Sequence, residues 1–227
     1  MVDYSFVSNT PLFRGINEQE TVSMLNCLGG KIVSYPKEMY VYHTGDHIRA
    51  MGLILSGSVN IEKVDVWGNC NIIENIGRGQ VFAETYACAP TEPLMVNVVA
   101  AESCEILFLD IKKVLQTCPS ACDFHSRLVR NLLTVMAGKN LALTRKMNHI
   151  TPKSIRARLL SYFSYEAIKQ GKYTFTIPFN RQQLADYLSV ERSALSNELS
   201  KMRSDGLLEF QKNTFTLKCG SALEGKI

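Results

Sequence analysis

Residues 180–203 read NRQQLADYLSVERSALSNELSKMR, and this stretch decides the fold of the C-terminal part. Asn180 is a capping residue for a helix that runs to Leu188. Ser189-Val190 is a short turn, and Glu191 to Arg203 forms a second helix. Leu184, Ala185 and Leu188 share one side of the first helix. Leu195, Leu199 and Met202 share one side of the second, so the two pack across an apolar seam. Two helices of this length around a short turn make the helix-turn-helix pattern. The opposite face of the second helix offers Arg192, Ser193, Ser196 and Asn197 near its start. Arginine can take O6 and N7 of guanine, asparagine N6 and N7 of adenine, and serine either bases or phosphates. Arg181, Gln182 and Lys201 are the expected phosphate partners.

The flanks complete a winged arrangement. Tyr173–Ile177 alternates as a strand before the motif, and Gly206 closes the second helix. Leu207–Phe210 and Thr214–Leu217, around Lys212-Asn213, read as a hairpin wing with Lys212 near a DNA backbone. A small helical subdomain with a solvated polar face would leave both flanks unexplained. Before them, Thr151-Pro152 reads as a helix start, threonine as N-cap and proline at the first position. That helix runs to about Lys169 and ends at Gly171.

Ser120–Ile150 reads as one long helix, entered after Pro119. Val129, Leu133, Met136, Asn140, Leu143, Met147 and Ile150 step by four and three, the spacing of a coiled-coil seam. Asn140 stands where an apolar residue is expected, a substitution that can fix register and a two-stranded state. Phe124, Leu128, Leu132 and Val135 form a second row. One row is expected to meet a second copy of the chain, the other the domain before it.

From Lys31 to Asp110 the pattern is short β-like runs split by turns: Lys31–Tyr35, Met39–Tyr42, Gly52–Leu55, Ser58–Val64, Asn71–Ile76 and Asn97–Leu109. Evenly spaced short strands imply a barrel, sandwich or roll. A helical lead-in over 12–29 precedes them and a short helix, Ile111–Gln116, follows. The fold class is α+β, with three parts: a domain of short strands over 1–118, a dimerisation helix over 119–150 and a winged helix-turn-helix over 151–227.

Charge supports this division. Residues 1–150 hold 13 Lys+Arg and 14 Asp+Glu, whereas residues 151–227 hold 12 and 7. A basic C-terminal segment points to an anionic partner, nucleic acid first. No apolar run approaches the roughly 20 residues of a membrane span, and the N-terminus lacks a signal core, so a cytoplasmic protein is expected. The seven cysteines include no CxxC pair, which argues against a disulfide framework or zinc site. Cys118 and Cys122 straddle Pro119 and form a weak candidate redox pair; His43 and His47 lack an evident third ligand. No nucleophile motif, phosphate loop or dinucleotide fingerprint is present, so no enzyme is expected.

Over roughly residues 10–218 the chain resembles the bacterial Crp–Fnr transcription regulators. The resemblance is carried by Gly45-Asp46, by Leu53-Ile54-Leu55-Ser56-Gly57-Ser58-Val59, by Gly79-Gln80-Val81-Phe82-Ala83-Glu84, and by the order of the parts. It implies a β-roll of the double-stranded β-helix, cupin-like type. It also implies a homodimer that senses a signal in that roll, reads a two-fold site on double-stranded DNA and works with RNA polymerase. The loop Tyr86–Met95 takes the effector-cassette position. Phe82, Glu84, Tyr86, Leu94, Met95, Arg127 and Asn131 are the expected effector residues.

Departures from the family are informative. Cyclic-nucleotide binders in the family follow a Gly-Glu pair with Arg-Ser about ten residues on; here the acid is kept as Glu84, but the pair is Leu94-Met95. Two apolar side chains cannot pair a buried phosphate, so cyclic AMP is not the expected effector and no cofactor is assigned. An uncharged or aromatic small molecule suits the position better. Fnr's N-terminal cysteine cluster is missing, Cys27 being the first cysteine. In the recognition helix Arg192 matches common members, whereas Ser193 and Asn197 depart from them. The rival readings are a redox- or haem-sensing regulator of the same fold, and a cyclic-nucleotide-type module that binds no DNA.

Overall fold

A computed structural model describes residues 3–65, 67–68, 70–116 and 123–218. The expected helix start at Ser120, the Cys118/Cys122 pair and the tail from Gly220 lie outside the described residues. Two compact units divide between Gly138 and Lys139, within the long helix.

The first unit opens with helices α1 (Tyr4–Ser8) and α2 (Glu18–Leu28), joined through a 3-10 turn at Pro11–Phe13. α2 carries a full capping box: Asn17 accepts from the Glu20 amide and the Glu20 carboxylate accepts from the Asn17 amide, both at 2.9 Å. Strands β1 (Lys31–Tyr35), β2 (Tyr40–Tyr42), β3 (Ala50–Ser56), β4 (Val59–Val64), β5 (Cys70–Ile76) and β6 (Val81–Phe82) follow, then helix α3 (Glu84–Cys88). After β7 (Asn97–Ala100) and β8 (Cys104–Asp110) come the short helix α4 (Ile111–Leu115) and the long helix α5 (Asp123–Ile150). The strands form two antiparallel sheets, β1-β8-β3-β6 and β2-β7-β4-β5. The run expected over Asn97–Leu109 is two strands, because residues 101–103 carry the chain from one sheet to the other.

Strand alternation builds two cores from one sheet. Met51, Leu53, Leu107 and Leu109 pack with the 3-10 turn, α2 and α4, where Leu12, Phe13, Met24 and Val114 are buried. Ile54, Cys104 and Ile106 face the other sheet and bury Val59, Ile76, Phe82 and Val98 between the two. Gly52 lies opposite Phe82 on one neighbouring strand and Phe108 on the other. A Cβ at Gly52 would fall 2.3 Å from the Phe82 ring, so the aromatic packing excludes any larger residue. The first half of α5 closes this unit with Leu128 and Leu132, both fully buried. Burial of each contributes on the order of 1.5–3 kcal/mol. The row Phe124, Leu128, Leu132 and Val135 thus meets the sheet domain as the periodicity predicts.

The second unit contains the rest of α5, then α6 (Ile155–Gln170), β9 (Thr174–Thr176), α7 (Arg181–Leu188), α8 (Arg192–Ser204), β10 (Leu208–Gln211) and β11 (Thr214–Leu217). The strands pair antiparallel in the order β10-β11-β9. Phe163, Phe175, Leu184, Leu188, Leu195, Leu199, Met202 and Phe215 form its core. The start of α6 differs from the expectation at Thr151-Pro152. Thr151 is held to the end of α5, its amide and hydroxyl both donating to the Met147 carbonyl at 2.9 and 2.7 Å. Ser154 is the N-cap instead, accepting from the Ala157 amide at 3.1 Å. A threonine hydroxyl can bond back to the preceding turn as readily as cap the next one.

Candidate nucleic-acid interface

Local chemistry sets the two helices of the motif. Asn180 and Gln183 form a capping box at the start of α7, each accepting from the other's amide at 2.9 Å. α7 ends at Ser189, a non-glycine residue in the left-handed region at φ +54°. Glu191 then caps α8, accepting from the Ala194 amide at 2.8 Å. Its carboxyl is held below the usual carboxylate range by the Ser193 hydroxyl and by backbone amides.

Burial of Leu195, Leu199 and Met202 turns the opposite side of α8 to solvent. Arg192, Ser193, Asn197 and Lys201 are exposed there and Ser196 is half-buried. Ser200 and Ser204 extend this stripe toward the C-terminus, and their hydroxyls bond back to the carbonyls four residues earlier at 3.1 Å. The sequence reading missed both. Gln182 is exposed on α7, bonded to Asp186 at 2.8 Å. Lys212 is exposed at the tip of the wing, with φ +53°.

Arg181 stands apart from the expected phosphate partners. Its guanidinium lies 5.0 Å from the ring centroids of both Phe210 and Phe215, and Nη2 donates to the Lys212 carbonyl at 2.9 Å. Burial pushes its pKa below the ordinary arginine value. The side chain is therefore folded into the wing, where it fixes the turn that presents Lys212. A second cation, Arg203, sits 4.9 Å over the Phe210 ring.

Two arginines on α6 brace the motif, and no local spacing announced them. Arg156 bonds Glu198 at 2.6 Å and Asp205 at 2.8 Å, tying α6 to the recognition helix. Arg158 reaches the turn between α7 and α8. His149, near the end of α5, is buried among Tyr162, Tyr165 and Tyr187, with Nδ1 3.0 Å from the Tyr187 hydroxyl. Burial lowers its pKa, against a partial opposing pull from Glu166.

The expected effector residues have different surroundings in the first unit. Phe82 is buried in an aromatic cluster with Tyr42 and Phe108, centroids 6.4 and 6.5 Å away. Burial raises the Tyr42 phenol to about 12. Glu84 is buried in the first turn of α3 and Tyr86 is half-buried. Leu94 is buried, its backbone bonded to Gly45 at 2.7 Å and Asp46 at 2.9 Å, whereas Met95 is 62% exposed. Arg127 and Asn131 are engaged by the N-terminal segment instead of a pocket under the roll. Arg127 donates to the Gly15 carbonyl; Asn131 donates to the Leu12 and Arg14 carbonyls at 3.0 and 2.9 Å. The cation of Arg127 and the amide of Asn131 are drawn to carbonyls of the 3-10 turn and its exit.

Of the expected seam on α5, Leu133, Leu143 and Met147 are 61%, 65% and 62% exposed. Val129 is half-buried and Met136 packs on the core of the first unit. Asn140 is exposed and accepts from the Thr144 hydroxyl at 3.3 Å.

Two family models match the chain: a cyclic nucleotide-binding domain over residues 32–120 and a Crp-like helix-turn-helix domain over residues 157–225. The chain is 24% identical over 217 residues to a probable transcriptional regulator, Flp, of Lacticaseibacillus casei, covering 91% of this chain and 90% of that one. It is 21% identical over 221 residues to the cyclic AMP receptor protein of Thermus thermophilus, covering 96% and 97%. Among solved structures it is similar to CprK complexed with OCPA, with a TM-score of 0.61 at 17% identity over 86% of this chain and 88% of that one. The two domains in this order, and relatives that share nearly the whole length, lead to one conclusion: the chain belongs to the Crp–Fnr family of transcription regulators, with a cyclic nucleotide-binding-type domain followed by a DNA-binding helix-turn-helix.

Proposed function

We propose that the protein acts as a homodimer that reads a two-fold DNA site, inserting α8 of each copy into the major groove. The observation that carries this is the exposed row Arg192, Ser193, Asn197 and Lys201 on the face of α8 opposite its buried leucines. Arg192 and Asn197 specify bases, while Gln182, Lys201 and Lys212 meet phosphates. Residues 119–150 form the dimerisation element, with Leu133, Leu143 and Met147 buried between two copies and Asn140 setting register. Residues 1–118 are the sensing part and residues 151–227 the reading part.

An effector bound in the β-roll would favour one arrangement of the dimer over another and so alter the spacing of the two recognition helices. Leu94 and Met95 supply no charge for a cyclic phosphate, which supports an uncharged or aromatic effector. The protein works in the cytoplasm, with RNA polymerase as a further partner. A gel shift against genomic fragments, beside sedimentation of the free chain, tests the reading. Two copies per bound duplex are expected. A single chain that ignores DNA at low salt would overturn it.

A further inference from the structure

We infer that Arg158 is the positioning residue that locks the segment leaving the long helix to the turn that aims the recognition helix. This rests on the DNA-reading role proposed above.

One guanidinium makes three bonds. Nε donates to the Pro152 carbonyl at 2.9 Å, and Nη1 donates to the carbonyls of Leu188 and Ser189, both at 3.0 Å. Pro152 lies in the four-residue segment between α5 and α6. Leu188 ends α7, and Ser189 is the left-handed residue from which the chain turns into α8. All three acceptors sit where helical bonding stops, so their carbonyls need an outside donor. The fork of an arginine supplies several donors in fixed directions, which a lysine ammonium does not.

The turn needs such a brace. Glycine is the residue that adopts a left-handed φ without cost, and here the position is a serine. The rest of the turn is held locally, by Ser189 to the Asp186 carbonyl and Val190 to the Ala185 carbonyl. Those bonds fix the end of α7 but leave the Leu188 and Ser189 carbonyls to Arg158. Arg156, two residues earlier, binds Glu198 and Asp205 instead. The first turns of α6 therefore grip both ends of the motif: Arg156 holds the recognition helix, and Arg158 holds its entry. Of these two arginines, Arg158 also holds the segment after α5, so its side chain carries a shift in that segment to the turn.

Hydrogen–deuterium exchange on the free full chain tests this, with operator binding measured in parallel. Arg158→Gln and Arg158→Lys should both speed exchange at Thr151, Lys153 and Ser154 and at Leu188 to Val190, leaving the amides of β9, β10 and β11 at wild-type rates. Operator affinity should fall at least about tenfold, as expected for lost charge-assisted bonds. Adding Ser189→Gly should restore most of the affinity, because glycine holds the turn unaided, while exchange at 151–154 stays fast. The inference is overturned if Arg158→Lys behaves as wild type, if only one segment responds, or if exchange rises throughout the winged domain. The exchange result does not require DNA. A wild-type chain that binds no DNA would defeat the proposed function while leaving the coupling test intact.

Discussion

Arg156 Nε stands 2.6 Å from Glu198 Oε1, a contact between α6 and the inner side of the recognition helix. The same guanidinium meets Asp205 at 2.8 Å, so one cation offsets two carboxylates on the element that must approach DNA. Replacing Arg156 with methionine should lower the melting temperature and weaken DNA binding together. Combining it with Glu198→Gln and Asp205→Asn should recover part of both, since the stranded carboxylates are removed. Thermal unfolding and gel shifts on the series check this.

Arg181 separates a structural cation from a phosphate contact. Arg181→Gln should lower thermal stability by loosening Phe210, Phe215 and the Lys212 turn, yet leave the slope of log affinity against log salt unchanged. Lys212→Ala should do the reverse, leaving stability alone and reducing the slope by about one. Titrations at several salt concentrations distinguish the two.

Base reading should rest on Arg192 and Asn197. Alanine at either position should cost roughly 1–3 kcal/mol at the contacted base and relax preference there, with little change in non-specific binding. A binding selection with each variant provides the measurement.

Cyclic AMP should produce no heat in calorimetry at micromolar concentrations, because the family resemblance puts two apolar residues, Leu94 and Met95, where cyclic-nucleotide binders pair the phosphate. Micromolar binding would show that another cation replaces the missing arginine.

His149 should make the second unit acid-sensitive. Burial lowers its pKa in the folded chain, so the unfolded chain takes up its proton first as pH falls. Stability is therefore retained above the ordinary histidine range near 6.5 and declines as pH drops through it toward the lower folded value. Melting curves from pH 7.5 to 5 should show the decline, and His149→Phe should flatten it.

Most of the architecture was legible because it is written in local periods. The step of three and four that set Leu128 and Leu132 inward, the cap at Asn180, and the short β-like runs that became β3 and β8 all act within a few residues. What escaped the sequence were long-range choices by flexible side chains. Arg181 had a phosphate-facing position by spacing but was drawn to two phenylalanines of the wing. Arg127 and Asn131 satisfied carbonyls more than a hundred residues away. Thr151 carried a helix-start signal and served the end of the previous helix, because the same hydroxyl fits either task.

Selection of genomic fragments by the purified chain, followed by footprinting of the bound sites, tests the central claim most directly. The account predicts inverted repeats whose half-sites are centred about one helical turn, roughly 34 Å, apart, each protected in the major groove. Enrichment of single, unrepeated half-sites, or no enrichment over input, would contradict it.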